Sequence, residues 1–131
     1  MFRSVVAVVA GYLATFIGVS TFFALVLAAG FGGMPAPAEA ARFTPPAWLL
    51  WVELGVSPLL AVAGGYVCAW IARKQELRHG LALAGLMLVM GAISVCTETG
   101  LKPLWSSVAV AALGVAGVLA GARLRLAHVR A

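Results

Sequence analysis

Apolar residues run along this chain in four long blocks, and the polar ones are confined to the breaks between them. Positions 5–30, 80–96 and 104–122 carry no charge at all, and positions 47–72 carry one, Glu53. Each block is close to the length of about 20 residues that a helix needs to cross hydrocarbon. The breaks are of different kinds. Residues 31–46 hold two glycines and four prolines, so neither a helix nor a sheet ladder passes through, and an external loop is predicted there. Arg73-Lys74-Gln75-Glu76-Leu77-Arg78-His79 is a seven-residue polar hairpin, short enough to make its flanking helices antiparallel neighbours. Residues 97–103 form a second short connector and residues 123–131 a basic tail. The pattern predicts a single all-α transmembrane domain over residues 1–131, a four-helix bundle with antiparallel up-down-up-down topology. The second span opens on Pro45-Pro46-Ala47-Trp48, where proline suits a first turn, and Pro58 predicts a bend near Ser57.

Composition turns this pattern into a statement about solvent. The chain is 63% apolar and 10% charged over 131 residues, and a water-soluble domain of that length needs far more polar surface. Lipid is therefore the expected solvent. The net charge of +5 does not indicate nucleic acid, because the basic residues sit at the ends of apolar runs and form no stripe with interleaved aromatics. They read as topology signals. Arg3, Arg73, Lys74, Arg78, Arg123, Arg125 and Arg130 fall on one side, Arg42 and Lys102 on the other, so both termini are expected in the cytoplasm and the protein in the bacterial inner membrane. Trp48, Trp51 and Trp105 would mark the outer interface and Trp70 the inner one. The same lopsided bias argues against a dual-orientation transporter, and no repeat relates the halves of the chain.

The first block competes with a secretory signal peptide, given Arg3 and the small-x-small ending of Pro37-Ala38-Glu39-Ala40. A signal core runs about 7–15 residues, whereas 26 residues reach about 39 Å, so a retained, tilted span is the preferred reading.

Glu53 is the sharpest functional candidate, a carboxylate about 10 Å below the start of the second helix. It can bind a cation, relay a proton or hold an amine, and it can instead pair with Lys102 or Arg42 or snorkel outward between Trp48 and Trp51. Because Glu53 lies in the outer third and no acidic or histidine partner stands in another span, the bland reading, snorkelling or pairing with Lys102 or Arg42, is preferred, and Glu53 with Lys102 is the candidate polar site. Small residues recur at packing intervals: Gly11, Thr15 and Gly18; Ser57, Ala61, Gly65 and Ala69; Gly117 and Gly121. They are expected to pack within the bundle, with a homodimer through Gly117 and Gly121 as the alternative. Arg73, Lys74, Arg78, Arg123 and Arg125 are candidate contacts to lipid headgroups, the tail lying along the anionic inner leaflet.

Other side chains read as bland. Cys68 and Cys96 differ in depth by roughly 18 Å, beyond the ~7 Å Cα limit for a disulfide. Met87 and Met90 are filler, lacking further sulfur ligands for copper. His79 and His128 sit at cytoplasmic ends as interfacial groups. No cofactor or metal is expected. No Ser/His/Asp set, HExxH or phosphate loop is present, the connections leave no room for an extramembrane active site, and an enzyme is not expected.

Three stretches carry a resemblance: Arg3-Ser-Val-Val-Ala-Val-Val-Ala-Gly-Tyr12, Gly64-Gly-Tyr-Val-Cys-Ala-Trp-Ile-Ala72, and Pro103-Leu-Trp105 leading to Gly121-Ala-Arg-Leu-Arg125. Together they resemble an uncharacterised family of small four-span bacterial inner-membrane proteins, over most of the chain. The resemblance implies location and span number only. Where such relatives read Ala-Ala, this chain has Cys68-Ala69, a neutral packing change. Two functions are left: a structural or accessory protein acting through helix contacts, or a minimal oligomeric transporter or channel using Glu53. The expected partners are the bilayer and other membrane proteins or a second copy; nucleic acid is not expected, and any small-molecule substrate is open.

Overall fold

The computed structural model describes residues 2–33, 39, 42–72, 76–97 and 102–130, and these form four helices. They are α1 (Phe2–Phe31), α2 (Ala47–Ala72), α3 (Glu76–Thr97) and α4 (Leu104–Arg130). All four are long and apolar enough to cross a membrane, so the protein is a multi-pass all-α membrane protein.

Local chemistry sets the ends. After Phe31, Gly32 and Gly33 take φ of +75° and +150°, which end α1 in a conformation that side chains disfavour. The Pro46 carbonyl accepts the Leu49 amide at 2.9 Å and so opens α2, and the Pro103 carbonyl accepts the Ser106 amide at 3.0 Å and its hydroxyl at 3.1 Å to open α4. Two ends differ from the expectation. The last four hairpin residues, 76–79, already belong to α3, and the tail is not a separate segment at the interface but the continuation of α4 to Arg130. The reason is that charge ends a membrane span without ending a helix: after Gly121 no glycine or proline intervenes, and Arg, Leu and Ala are strong helix formers. At Pro58, α2 continues as one helix.

Contact order gives the topology. Going up α1, Gly11 meets Gly64 and Cys68, Gly18 meets Leu60, and Phe31 stacks on Trp48, so α1 and α2 run in opposite directions. Gly80 meets Ala122 and Gly91 meets Ala111, so α3 and α4 are also antiparallel. Pro58 meets Gly117 and Val62 meets Gly121, which makes α2 and α4 parallel. The start of α1, the end of α2, the start of α3 and the end of α4 thus lie at one end, called here the near or terminal end, opposite the far end.

Helix α2 is the centre and touches the other three, whereas α1 and α4 make no approach among the described residues. The buried core is small: Ala7, Ala61, Cys68, Ala72, Leu83, Ala84 and Val118. The large side chains point outward instead, among them Leu13, Ile17, Leu59, Leu81, Leu88 and Ile93. This inverts a soluble bundle. With lipid outside, burying a leucine gains little, and the helices are held by close backbone approach, which only small residues permit.

Candidate functional site

The far end of the bundle carries the candidate polar site. Glu53 lies six residues into α2, about 9 Å along the helix axis, and Lys102 sits directly before Pro103 at the approach to α4. Because α2 and α4 run parallel, residues near their two starts share one level, and Lys102 Nζ donates to Glu53 Oε1 at 3.1 Å and Oε2 at 3.2 Å. Both carboxylate oxygens are engaged. The side chains are 18% and 24% exposed, so the pair is largely taken up in protein and its attraction is little screened. Of the two cations weighed as partners, Lys102 is the one that meets the carboxylate, and Arg42 lies exposed in the connection before α2.

This ion pair stands in the wall of a cavity of about 220 Å³. The cavity exists because α1 and α4 do not meet. Near the terminal end the gap is closed, since Gly11 packs against Leu83 of α3 and against Cys68 of α2. Further out, Tyr12 and Phe16 of α1 face Met87 and Met90 of α3 across the space, with Gly114 of α4 beside them. Ser57, Ser94 and Ser107 add hydroxyls toward the far end, around the ion pair. Thr15, also in the wall, donates its hydroxyl to the Gly11 carbonyl at 3.1 Å and is thereby satisfied. Met87 and Met90 are cavity-lining side chains, and Cys68 and Cys96, buried and exposed respectively, are not joined in a disulfide.

The small residues sort into two seams. Between α1 and α2, an added Cβ at Gly11 would lie 2.6 Å from Cys68 Cβ and 2.9 Å from the Gly64 carbonyl, while Gly18 adjoins Leu60 at 3.3 Å and Thr15 is buried against Gly64. Between α2 and α4, Gly65 faces the Val118 backbone, Gly117 faces the Pro58 carbonyl at 2.6 Å and Ala61 Cβ at 3.1 Å, and Gly121 faces the Val62 carbonyl with the Tyr66 amide at 2.8 Å. Ser57 and Ala69 are buried too. Gly117 and Gly121 are thus covered by α2 of their own chain, and the homodimer through their face is corrected: the surface it needs is already occupied.

Sequence reasoning missed three packing glycines. Gly64 leaves no room for a side chain against Thr15, Gly80 abuts Ala122 at 2.8 Å, and Gly91 abuts Ala111 at 3.0 Å. The signal was present in the 80, 84, 87, 91 spacing on α3, one helical face, and in the Gly64-Gly65 pair.

Of the candidate headgroup contacts, Arg78 and Arg123 are exposed near the terminal end, and Arg73 and Lys74 lie outside the described residues. Arg125 differs. Its guanidinium carbon sits 5.9 Å from the centre of the Tyr66 ring, and its Nε is buried against its own chain. Three of the four tryptophans stand at the far end and one toward the near end. Trp51 and Trp105 pack at 5.8 Å beside Trp48 at the far end, and Trp70 lies 19 residues along α2, about 28 Å away, close to the ~30 Å of a hydrocarbon core.

The four long apolar helices define the class, a small multi-pass helical membrane protein. No family model matches the chain, and no curated protein and no solved structure matches it.

Proposed function

We propose that this is a structural or accessory protein of the bacterial inner membrane, acting through helix–helix contacts with the bilayer and other membrane proteins as partners and without catalysis of its own. It has both termini in the cytoplasm and belongs with the small four-span proteins that its motifs resemble. The observation that carries the reading is the Glu53–Lys102 pair. A transport carboxylate must exchange a cation or proton with water, whereas both oxygens of Glu53 are held by a lysine of the same chain, so the lone acidic group in the spans is neutralised where it stands. Orientation is supported by the sequence positions of the basic residues, seven of which fall at the two ends of the chain and in the connection after α2, against Arg42 and Lys102 in the other two connections.

The test is ion flux. Purified protein reconstituted in liposomes that enclose a pH-sensitive dye should pass protons, sodium and potassium no faster than empty liposomes, and Glu53→Gln should leave that baseline unchanged. Flux above baseline that disappears in Glu53→Gln would replace this reading with the minimal oligomeric transporter or channel, which the cavity beside Glu53 favours. Reporter fusions at the two termini, both active only on the cytoplasmic side, check the orientation.

A further inference from the structure

We infer that the far-end cavity is a binding site for a small, net-neutral amphiphile: an aliphatic body of about nine heavy atoms with a hydroxyl head. This goes beyond the accessory role and does not depend on it.

Three features of the cavity specify the ligand. Size comes first. A cavity of about 150 Å³ suffices for benzene, and scaling by volume gives about nine heavy atoms for 220 Å³, the size of a medium-chain alcohol. Polarity is graded along the axis. Toward the terminal end the walls are Tyr12, Phe16, Met87 and Met90, which suit a chain, and methionines adapt to irregular shapes. At the far end stand the ion pair, Ser57, Ser94 and Ser107, which suit a hydrogen-bonding head. Charge is the third feature. Glu53 and Lys102 together are neutral, so a ligand with a net charge would bring an uncompensated charge beside a pair that is largely taken up in protein, whereas a hydroxyl can donate to the carboxylate without disturbing the balance. The same walls also explain why the space is not simply closed up: Gly114 keeps a side chain out of it, and α1 offers no contact to α4.

Photolabelling tests the assignment. The full chain in lipid nanodiscs is irradiated with an octanol carrying a diazirine on its chain, or with the corresponding octanoate, and labelled residues are mapped by mass spectrometry. Label on Tyr12, Glu53 and Met87 is expressed relative to the lipid-facing Leu13, Ile17 and Leu81, which corrects for partitioning into the bilayer. The octanol should favour the cavity at least fivefold, be displaced by excess plain octanol, and exceed the octanoate ratio at least threefold. Gly114→Leu should remove the preference, because a Cβ there meets only Met87 Cε at 3.8 Å and the rest of the side chain enters the cavity. Ser107→Phe fills the space from another position and gives the same readout should the first variant fail to fold. Equal labelling of cavity and lipid-facing residues, an octanoate ratio equal to that of octanol, or unchanged labelling in a folded filling variant would overturn the assignment.

Discussion

The two halves of this bundle are built on opposite terms. Along the α2–α4 seam, Gly65, Gly117 and Gly121 bring backbone onto backbone, so that an added methyl meets a carbonyl or an amide. Around the far-end cavity, the same helix α4 stands apart from α1, and the neighbours are flexible side chains such as Met87. The seam gives rigidity in a solvent that offers no hydrophobic drive between helices, and the cavity is the volume that is left where this close approach stops. Small residues therefore mean different things in the two regions: at the seam they are contacts, and at the cavity they are space.

The strongest way to break the comparison is to place bulk in the seam. Gly121→Leu has no accommodating rotamer, because its first atom already meets the Val62 carbonyl and the Tyr66 amide. The expected loss is about 3 kcal/mol or more, read as a collapse of the unfolding midpoint in mixed detergent micelles. Gly117→Ala is milder. Its Cβ lies 2.6 Å from the Pro58 carbonyl and 3.1 Å from Ala61 Cβ, so the helices must separate by some tenths of an ångström, at about 2 kcal/mol. A wild-type midpoint for either variant would mean that α2 and α4 do not meet face to face.

Next comes the ion pair at the cavity wall. Glu53→Gln leaves the Lys102 charge without its carboxylate, and since the two side chains keep 18% and 24% exposure, the cost is about 1–2 kcal/mol, less than for a fully buried pair. Removing both charges, in the double variant Glu53→Gln with Lys102→Met, should recover most of that loss. If the double variant is as unstable as the sum of the two single ones, the pair does not interact and the account of the site falls.

Span number and the all-α bundle were legible in the sequence, and Lys102 was one of two cations that could meet Glu53, for one physical reason. Charge is so costly in hydrocarbon that every ionic residue marks either a span end or a partner. What remained hidden followed from packing. That charge marks the edge of the membrane and not the end of a helix explains why α4 runs on to Arg130 and why α3 starts at Glu76. The homodimer alternative through Gly121 failed because a glycine pattern shows which face packs closely and is silent on whether the partner is the same chain. The cavity had no sequence signal of its own: it lies where α1 and α4 make no contact, a matter of how the helices are placed that no local pattern announces.

The smallest expected effect separates the two regions most cleanly, because it uses the same substitution three residues away. Gly114 and Gly117 both lie on α4 and both are buried, and in a bare helix either change to alanine gains up to about 1 kcal/mol by restricting the unfolded chain and favouring helix. At Gly117 that gain is overrun by the Pro58 carbonyl. At Gly114 the new methyl meets only Met87 Cε at 3.8 Å, an ordinary contact with the end of a side chain that can turn away. Gly114→Ala should therefore keep or raise stability, by about 0.5 kcal/mol, while narrowing the cavity slightly. The two variants are measured side by side in the same micelles, and the sign of their difference is the result. Loss at Gly114 equal to that at Gly117 would show that α4 is packed alike along its length, and that no space stands between it and α1.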